Sequence, residues 1–226
     1  MDHGLETPLT LVSAPAGYGK STLVSHWLES LSHPNAWLSL DVDDSDLTLF
    51  TRYLIAAVQT LFPDACVDTG ELIAAPELPP VSVLGGCLVN ELDEIDTPFV
   101  LTLDDYHRIA PMSDVHELIG FILNHPPALL RLVIVTRRDP PLKIASMRAS
   151  RRLTDVRAKD LKFSPSDSAA FLKKAAGVTV NEEALANLQQ QTEGWAVGLQ
   201  LVALHLRYVD DPDGFLKELG GGIHHI

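Results

Sequence analysis

The sequence predicts an α/β fold: a parallel sheet flanked by helices over residues 1–160, followed by a small all-helical subdomain over 161–226. Two observations support this. Up to about residue 160, short apolar segments alternate with segments of helical periodicity, which is typical of a parallel sheet with crossover helices. Beyond that point the periodicity is helical throughout, and no strand is predicted.

Short apolar runs predict the strands, and three- to four-residue spacing of apolar positions predicts the helices. The predicted strands cover 9–13, 36–40, 99–103 and 132–136. The predicted helices cover about 20–31, 47–61, 81–95, 114–124, 166–176, 182–192 and 195–208. Asp46 is predicted to cap the second helix, because an aspartate side chain accepts hydrogen bonds from the first turn. The proline-containing stretch 63–80 is predicted to be a loop.

Composition excludes several classes of function. The formal net charge of −13 argues against direct binding of DNA, which needs clustered Lys and Arg. No apolar run reaches the roughly 18–20 residues that span a bilayer, so no membrane partner is expected, and the N-terminal residues do not resemble a secretory signal. Cys66 and Cys87 lack metal-ligand spacing, so two free thiols and a cytoplasmic location are predicted.

Basic residues are distributed unevenly along the chain. Residues 1–130 contain only Lys20, Arg52 and Arg108, whereas 131–162 contains ten basic residues. These are Arg131, Arg137, Arg138, Lys143, Arg148, Arg151, Arg152, Arg157, Lys159 and Lys162. Two interpretations stay open: a solvated basic face, or a group of which part contacts a nucleotide phosphate or an acidic partner.

Residues 14–22 carry the strongest chemical signal and read Ala-Pro-Ala-Gly-Tyr-Gly-Lys-Ser-Thr. This is the P-loop pattern with Ala14 in place of the first glycine, and it follows a predicted strand and opens a predicted helix. Small residues let backbone N–H groups surround phosphates, Lys20 reaches the phosphates, and the Ser21 hydroxyl binds Mg²⁺. The predicted ligand is ATP or ADP with Mg²⁺. The predicted nucleotide-binding residues are Ala14, Gly17, Tyr18, Gly19, Lys20, Ser21 and Thr22.

A second motif ends the predicted strand 99–103, where the apolar run is followed by Asp104 and Asp105. This is the form of a Walker B segment. Asp104 and Ser21 are the predicted metal residues, with Asp104 positioning Mg²⁺ through water, and Asp105 is predicted to orient or polarise an attacking water. His107 is either a polar neighbour of this site or a structural histidine.

Two further segments are less specific. Thr136 and Arg137 end the strand 132–136, at the edge of the sheet where ligands of open α/β proteins collect. Arg137 is predicted to sense the γ-phosphate, since a guanidinium gains a charge-assisted hydrogen bond only when that phosphate is present. Arg138 is expected to face solvent. Glu193-Gly194-Trp195 opens a helix, and Trp195 is interpreted as a packing residue.

The ordered set of segments resembles the nucleotide-binding core of MalT/LuxR-type ATP-dependent transcriptional regulators, which are signal-transduction ATPases with numerous domains. These regulators are P-loop NTPases, and the resemblance covers nearly the whole chain. The segments that carry it are 14–22, 36–41 with Asp44, Asp46, Phe50, Tyr53 and Leu54, then 104–107, 136–137, 161–164, 193–195 and 198–199. At 194–196 this chain has Gly-Trp-Ala, where related switch ATPases often have Gly-x-Pro.

The resemblance implies a switch that is closed with ADP and assembles with ATP when an inducer is sensed, with slow hydrolysis that resets it. It assigns phosphate binding to the P-loop, Mg²⁺ and water to Asp104 and Asp105, and phosphate sensing to Arg137. It also implies partner domains, a sensor and a DNA-binding module, that this sequence lacks. The chain is therefore expected to be a fragment or a truncated product that does not itself bind DNA.

Two other classes of function remain compatible with the motifs. One is a P-loop phosphotransferase or fast NTPase, for which arginines in 137–157 would supply a lid. The Asp104-Asp105 pair favours water activation over transfer to an acceptor. The other is an interaction scaffold that binds nucleotide without turnover, in which Asp105→Asn would be silent.

Overall fold

The computed structural model describes residues 5–219. Contacts divide the chain into two packing units. The first, here called the sheet unit, comprises the residues up to Ala14 and Ser21–Val156. The second, here called the helical unit, comprises Pro15–Lys20 and the chain from Arg157 onward. The P-loop segment therefore packs with residues that are far along the sequence.

A five-stranded sheet forms the centre of the sheet unit. Its strands are β1 (Leu9–Ser13), β2 (Asn35–Ser39), β3 (Phe99–Asp104), β4 (Leu130–Thr136) and β5 (Leu153–Arg157), in the order β2-β3-β4-β1-β5. The pairs β1–β4, β2–β3 and β3–β4 are parallel. Every residue of β1 and β3 is buried, as expected for strands covered on both faces. The predicted α/β fold is confirmed.

Register brings the strand ends that carry the predicted motifs to one edge. Ser13 at the end of β1 is paired with Thr136 at the end of β4, and Ser39 at the end of β2 is paired with Asp104 at the end of β3. Because the strands are parallel, their carboxyl ends share this edge, which is where ligands bind in folds of this type.

The helices that follow the strands confirm most of the predicted ones. They are α1 (Lys20–Glu29), α2 (Leu47–Gln59), α3 (Val67–Ala74), α4 (Val81–Asp93), α5 (Val115–Asn124) and α6 (Ile144–Ala149). The predicted cap of α2 is also confirmed, since the Asp46 carboxylate accepts a hydrogen bond of 2.8 Å from the Leu49 N–H. In α1, Val24, Trp27 and Leu28 are buried.

The prediction of a loop over 63–80 is wrong, because α3 lies within it. The N-terminus of this helix has no cap from its own segment. Instead the carboxylate of Glu91, on α4, accepts hydrogen bonds of 2.8 Å and 2.9 Å from the backbone N–H groups of Asp68 and Thr69, and a third from the Thr69 hydroxyl. A cap supplied from about twenty residues away leaves no local sequence signal.

The sequence analysis also missed β5 and α6. All five residues of β5 are only half-buried, as expected for a strand at the sheet edge, so the apolar run that marks the central strands is absent. The Thr154 hydroxyl lies 2.8 Å from the Thr7 hydroxyl, which helps to tie this edge to the segment before β1.

The helical unit contains α7 (Ala158–Leu161), α8 (Pro165–Ala176), α9 (Glu182–Thr192), α10 (Ala196–Leu206) and α11 (Pro212–Glu218). The helices predicted at 166–176, 182–192 and 195–208 are confirmed, and no strand lies within 161–219. The prediction missed α7 and α11. The core of this unit consists of Leu172, Ala184, Leu188, Leu199, Val202, Ala203, Leu206 and Leu216. The glycine tract 220–222 lies outside the described residues.

Both cysteines are free thiols, as predicted. Burial raises the pKa of the Cys66 thiol to about 12, which keeps it protonated at neutral pH. Within 5–219, no helix has the length and apolar character needed to cross a bilayer.

Candidate functional site

Ser21 and Asp104 meet at the carboxyl edge of the sheet. Ser21, in the first turn of α1, donates a hydrogen bond of 3.1 Å from its Oγ to Oδ1 of Asp104, the last residue of β3. The same carboxylate oxygen accepts the Asp105 N–H at 2.8 Å, and Asp104 is 8% exposed. Hydroxyl and carboxylate oxygens are the ligands that Mg²⁺ prefers. The two residues predicted for a metal therefore lie in contact.

Ser21 and Asp104 suit a metal ion whose other ligands are phosphate oxygens and water. No group of three or more His, Cys, Asp or Glu suited to a metal occurs in the described part of the chain. Mg²⁺ characteristically takes only one or two protein ligands and fills its other positions with phosphate oxygens and water. Ser21 and Asp104 would hold such an ion, and it would supply charge neutralisation for bound phosphates.

The loop 15–20 has the backbone of an anion-binding turn. Gly17 and Gly19 have φ angles of +78° and +71°, in the left-handed region that glycine adopts without steric cost. Successive residues of alternating handedness direct their N–H groups into one concavity. The Lys20 ammonium donates a hydrogen bond of 2.9 Å to the Pro15 carbonyl, so the lysine folds back across its own loop. Lys20 is 8% exposed.

The remaining predicted P-loop residues flank this turn. Ala14 is 3% exposed, and its N–H donates to the Thr136 carbonyl at 3.3 Å, so a small residue extends the β1–β4 pairing by one position. Tyr18 is half-buried within the loop, and Thr22 is exposed in the first turn of α1.

Asp105 lies directly after the candidate metal ligand and has a φ of +55°, an uncommon backbone conformation for a residue with a side chain. Its carboxylate oxygens are 3.7 Å from His107 Nδ1 and 3.7 Å from Arg108 Nε. The Asp105 side chain is 40% exposed, so water reaches it. His107 thus lies beside Asp105, and both interpretations of His107 stay open, as the water-orienting role of Asp105 stays a prediction.

The end of β4 carries polar groups as predicted, but with local partners. The Thr136 hydroxyl donates to the Arg138 carbonyl at 2.7 Å and shapes the turn after the strand. Arg137 and Arg138 are both exposed, as expected for Arg138, and the phosphate-sensing role of Arg137 stays a prediction. Sequence analysis did not consider Asp139, whose carboxylate accepts a hydrogen bond of 3.2 Å from Ser13. The signal that could have found Asp139 is its position three residues past the end of β4.

Several members of the basic cluster serve the fold. Arg131 Nε donates to the Leu5 carbonyl at 2.7 Å, and Arg152 donates to the Leu123 carbonyl at 2.7 Å. Arg148 pairs with Asp155 at 2.7 Å. These three arginines make structural contacts, whereas Arg137 and Arg138 are exposed directly after β4.

Segments 161–164 and 193–195, which both contribute to the family resemblance, pack against each other inside the helical unit. The Phe163 N–H donates to the Gly194 carbonyl at 3.0 Å, and the Phe163 carbonyl accepts from Gln189 Nε2 at 2.9 Å. Lys162 forms an ion pair of 2.8 Å with Glu193, and the hydrogen bond that it donates to this carboxylate raises the pKa of the lysine. The sequence assigned these residues no role, yet together they fix the turn that leads into Trp195.

Comparison with known proteins agrees with this arrangement. The chain is 35% identical over 199 residues to the HTH-type transcriptional regulator MalT of Yersinia enterocolitica, and 37% identical over 200 residues to MalT of Serratia proteamaculans. Each match covers 88% of the chain. The chain is therefore similar to one part of the MalT regulators. No protein-family profile matches it.

The homology is limited to one part of those regulators. The chain spans 22% of the length of the MalT relatives. A solved structure of a signal transduction ATPase with numerous domains, a protein with a tetratricopeptide repeat sensor from Pyrococcus horikoshii, shares the fold. Its TM-score is 0.65 at 15% identity, over 96% of this chain and 31% of the other. The predicted resemblance to MalT-type regulators is confirmed, and the fold is that of a signal transduction ATPase with numerous domains.

Proposed function

We propose that this chain is the ATP- and ADP-binding switch module of a MalT-type transcriptional regulator. It comprises a nucleotide-binding domain over 1–160 and a helical lid subdomain over 161–226. The chain binds the nucleotide with Mg²⁺ and hydrolyses ATP slowly, so that the nucleotide state controls the regulator. The proposed location is the cytoplasm.

The observation that carries the proposal is the geometry of residues 17–21. Two left-handed glycines turn the loop, the Lys20 ammonium donates a hydrogen bond to the Pro15 carbonyl, and Ser21 is in hydrogen-bonding contact with Asp104. This combination supplies backbone donors for phosphates, a cation beside them and two oxygens for Mg²⁺. The N-terminus of α1 adds the positive end of a helix dipole.

The regulatory part of the proposal follows from the homology. The MalT relatives are named as transcriptional regulators, and the chain corresponds to about a fifth of their length. The partners proposed for it are therefore the sensor and DNA-binding modules of a full-length regulator, with self-assembly in the ATP-bound form. With a net charge of −13, this part of the protein is not itself expected to bind DNA.

Calorimetric titration with Mg·ADP and Mg·ATP tests the binding site. Lys20→Ala should weaken both nucleotides by on the order of 100-fold, because it removes charge-assisted hydrogen bonds to phosphate oxygens. The matched control is Lys173→Ala, an exposed lysine on α8, which should bind like the unaltered chain. Absence of binding by the unaltered chain, or equal binding by Lys20→Ala, would contradict the proposal.

The dependence of ATP binding on Mg²⁺ tests the proposed metal site at Ser21 and Asp104. Magnesium should strengthen ATP binding to the unaltered chain, and this gain should be lost in Ser21→Ala while metal-free binding is retained. The reason is that the Ser21 hydroxyl is one of the two protein oxygens available to the ion. An undiminished magnesium effect in Ser21→Ala would remove this residue from the metal site.

Turnover separates the proposed switch from its alternatives. Slow release of phosphate, well below the roughly 1 per second at the lower end of ordinary enzymes, is expected from the unaltered chain. Asp105→Asn should abolish that release and keep nucleotide binding. A rate in the ordinary enzyme range would identify a fast NTPase, and tight binding with no turnover in the unaltered chain would identify a scaffold.

A further inference from the structure

The indole of Trp195 lies directly against the phosphate loop. Its Nε1–H donates a hydrogen bond of 3.1 Å to the Ala16 carbonyl. A Cβ placed on Gly17 would lie 2.6 Å from the same nitrogen, closer than real Cβ atoms approach. A glycine is therefore required at position 17 for two reasons. It leaves room for the indole, and it adopts the left-handed backbone conformation. All of these atoms belong to the helical unit.

The first turn of α10 holds the next carbonyl of the loop. The Val197 N–H donates a hydrogen bond of 3.1 Å to the Gly17 carbonyl. Val197 is the second residue of α10, so its N–H has no acceptor within the helix. The loop thus supplies the acceptor that this helix end lacks. Two consecutive carbonyls, those of Ala16 and Gly17, are directed at the start of α10.

These two hydrogen bonds also fix the direction of the N–H groups in the same two peptide units. In a trans peptide the N–H is directed away from the C=O. When Trp195 and Val197 hold the two carbonyls, the N–H groups of Gly17 and Tyr18 are directed away from α10. Adjacent N–H groups presented in this way are the donors that an anion-binding turn needs.

The indole is itself held on its other side. A Cβ on Gly198 would lie 3.0 Å from Trp195 Cε3, so two glycines, Gly17 and Gly198, make room for the ring. The preceding residue Gly194 has a φ of +73°, and a Cβ there would collide with the Phe163 backbone. The turn before α10 therefore accepts few alternative conformations, which is a requirement for a side chain that positions another group.

We propose that Trp195 is a positioning residue that holds the phosphate loop in its anion-binding shape, and that loop occupancy and the first turn of α10 stabilise each other. The inference rests on the proposed nucleotide-binding function and deepens it. In this proposal Trp195 supports binding of the phosphates of the nucleotide and does not contact its base. A bound phosphate favours the peptide orientations that Trp195 and Val197 hold, so binding reaches α10 through these two hydrogen bonds.

The test is Trp195→Phe, which keeps an aromatic ring and removes the N–H donor. The loss of one hydrogen bond should weaken Mg·ADP binding by about threefold to tenfold. Trp37→Phe is the matched control, because the Trp37 indole also donates a hydrogen bond of 3.1 Å, to Ser39 on β2, and has no role in the loop. Its affinity should stay within about twofold of the unaltered chain.

Inorganic pyrophosphate distinguishes phosphate positioning from contact with the base. Displacement of a fluorescent ADP analogue by pyrophosphate should be weakened in Trp195→Phe by the same factor as displacement by ADP. Loss of ADP affinity with unchanged pyrophosphate affinity would mean that the indole contacts the base, which overturns the inference. Equal ADP affinity in Trp195→Phe and the unaltered chain would also overturn it.

Hydrogen exchange provides a second readout, of the coupling between the loop and α10. Mg·ADP should slow exchange of the Val197 amide in the unaltered chain, and Trp195→Phe should lose most of that protection. An unchanged rate on saturation with ADP would refute the coupling to α10 while leaving the proposed nucleotide binding intact. If the unaltered chain bound neither ADP nor pyrophosphate, the proposed function and this inference would fall together.

Discussion

The sheet unit and the helical unit hold their candidate functional groups by different means. Asp104 ends a strand in which all six residues are buried, so its position is set by the packing of the sheet. The loop 15–20 is held by a few polar contacts with the start of α10, in a unit whose apolar core is much smaller. Groups fixed by a large core resist local change, whereas those fixed by a few hydrogen bonds respond to it.

Truncation of one core leucine in each unit tests this comparison with the largest expected effect. Leu101→Ala in β3 and Leu188→Ala in α9 each remove a side chain that is at most 1% exposed, and each should cost about 2–5 kcal/mol. Hydrogen exchange should locate the loss of protection in the sheet unit for the first variant, and in α8–α10 for the second.

The control for both is Leu204→Ala, at an exposed position of α10, which should cost well under 1 kcal/mol. If Leu188→Ala lowered protection of β3 and α9 equally, the two units would unfold as one. The two units would then not differ in local stability.

Glu91→Ala sharpens the comparison within the sheet unit, because α3 depends on a single distant carboxylate. The substitution leaves the N–H groups of Asp68 and Thr69 without that acceptor and should cost about 1–3 kcal/mol. The loss should appear as faster amide exchange confined to α3. Glu71→Ala, at an exposed position of the same helix, is the control, and an equal effect of both variants would rule out the capping role.

Local caps in the two units should give the smallest effects. Asp46 caps α2 and Asn181 caps α9, each accepting a backbone N–H at 2.8–2.9 Å. Replacement of either by Ala should cost about 1 kcal/mol, measured by denaturant unfolding. If Asn181→Ala cost several-fold more unfolding free energy than Asp46→Ala, the helical unit would depend more strongly on its helix caps than the sheet unit does.

Much of the fold was predictable because its signals are local. Strands β1, β3 and β4 are continuous apolar runs, the glycines of the P-loop have a fixed pattern, and Asp46 stands directly before the helix that it caps. The contact between Ser21 and Asp104 was expected from motif spacing and is present at 3.1 Å. The edge strand β5 was missed because half-buried positions do not form an apolar run.

The sequence by itself determined the parallel sheet, the phosphate loop and the residues that end its strands, because hydrophobic periodicity and glycine conformation act over a few residues. Tertiary structure alone decided that α3 forms, since its cap is on α4. It also decided that Trp195 packs on the phosphate loop rather than in an apolar core. The physical reason is the same in both cases: the hydrogen-bond partners are about 20 and 179 residues apart, and no local pattern records a contact at such separations.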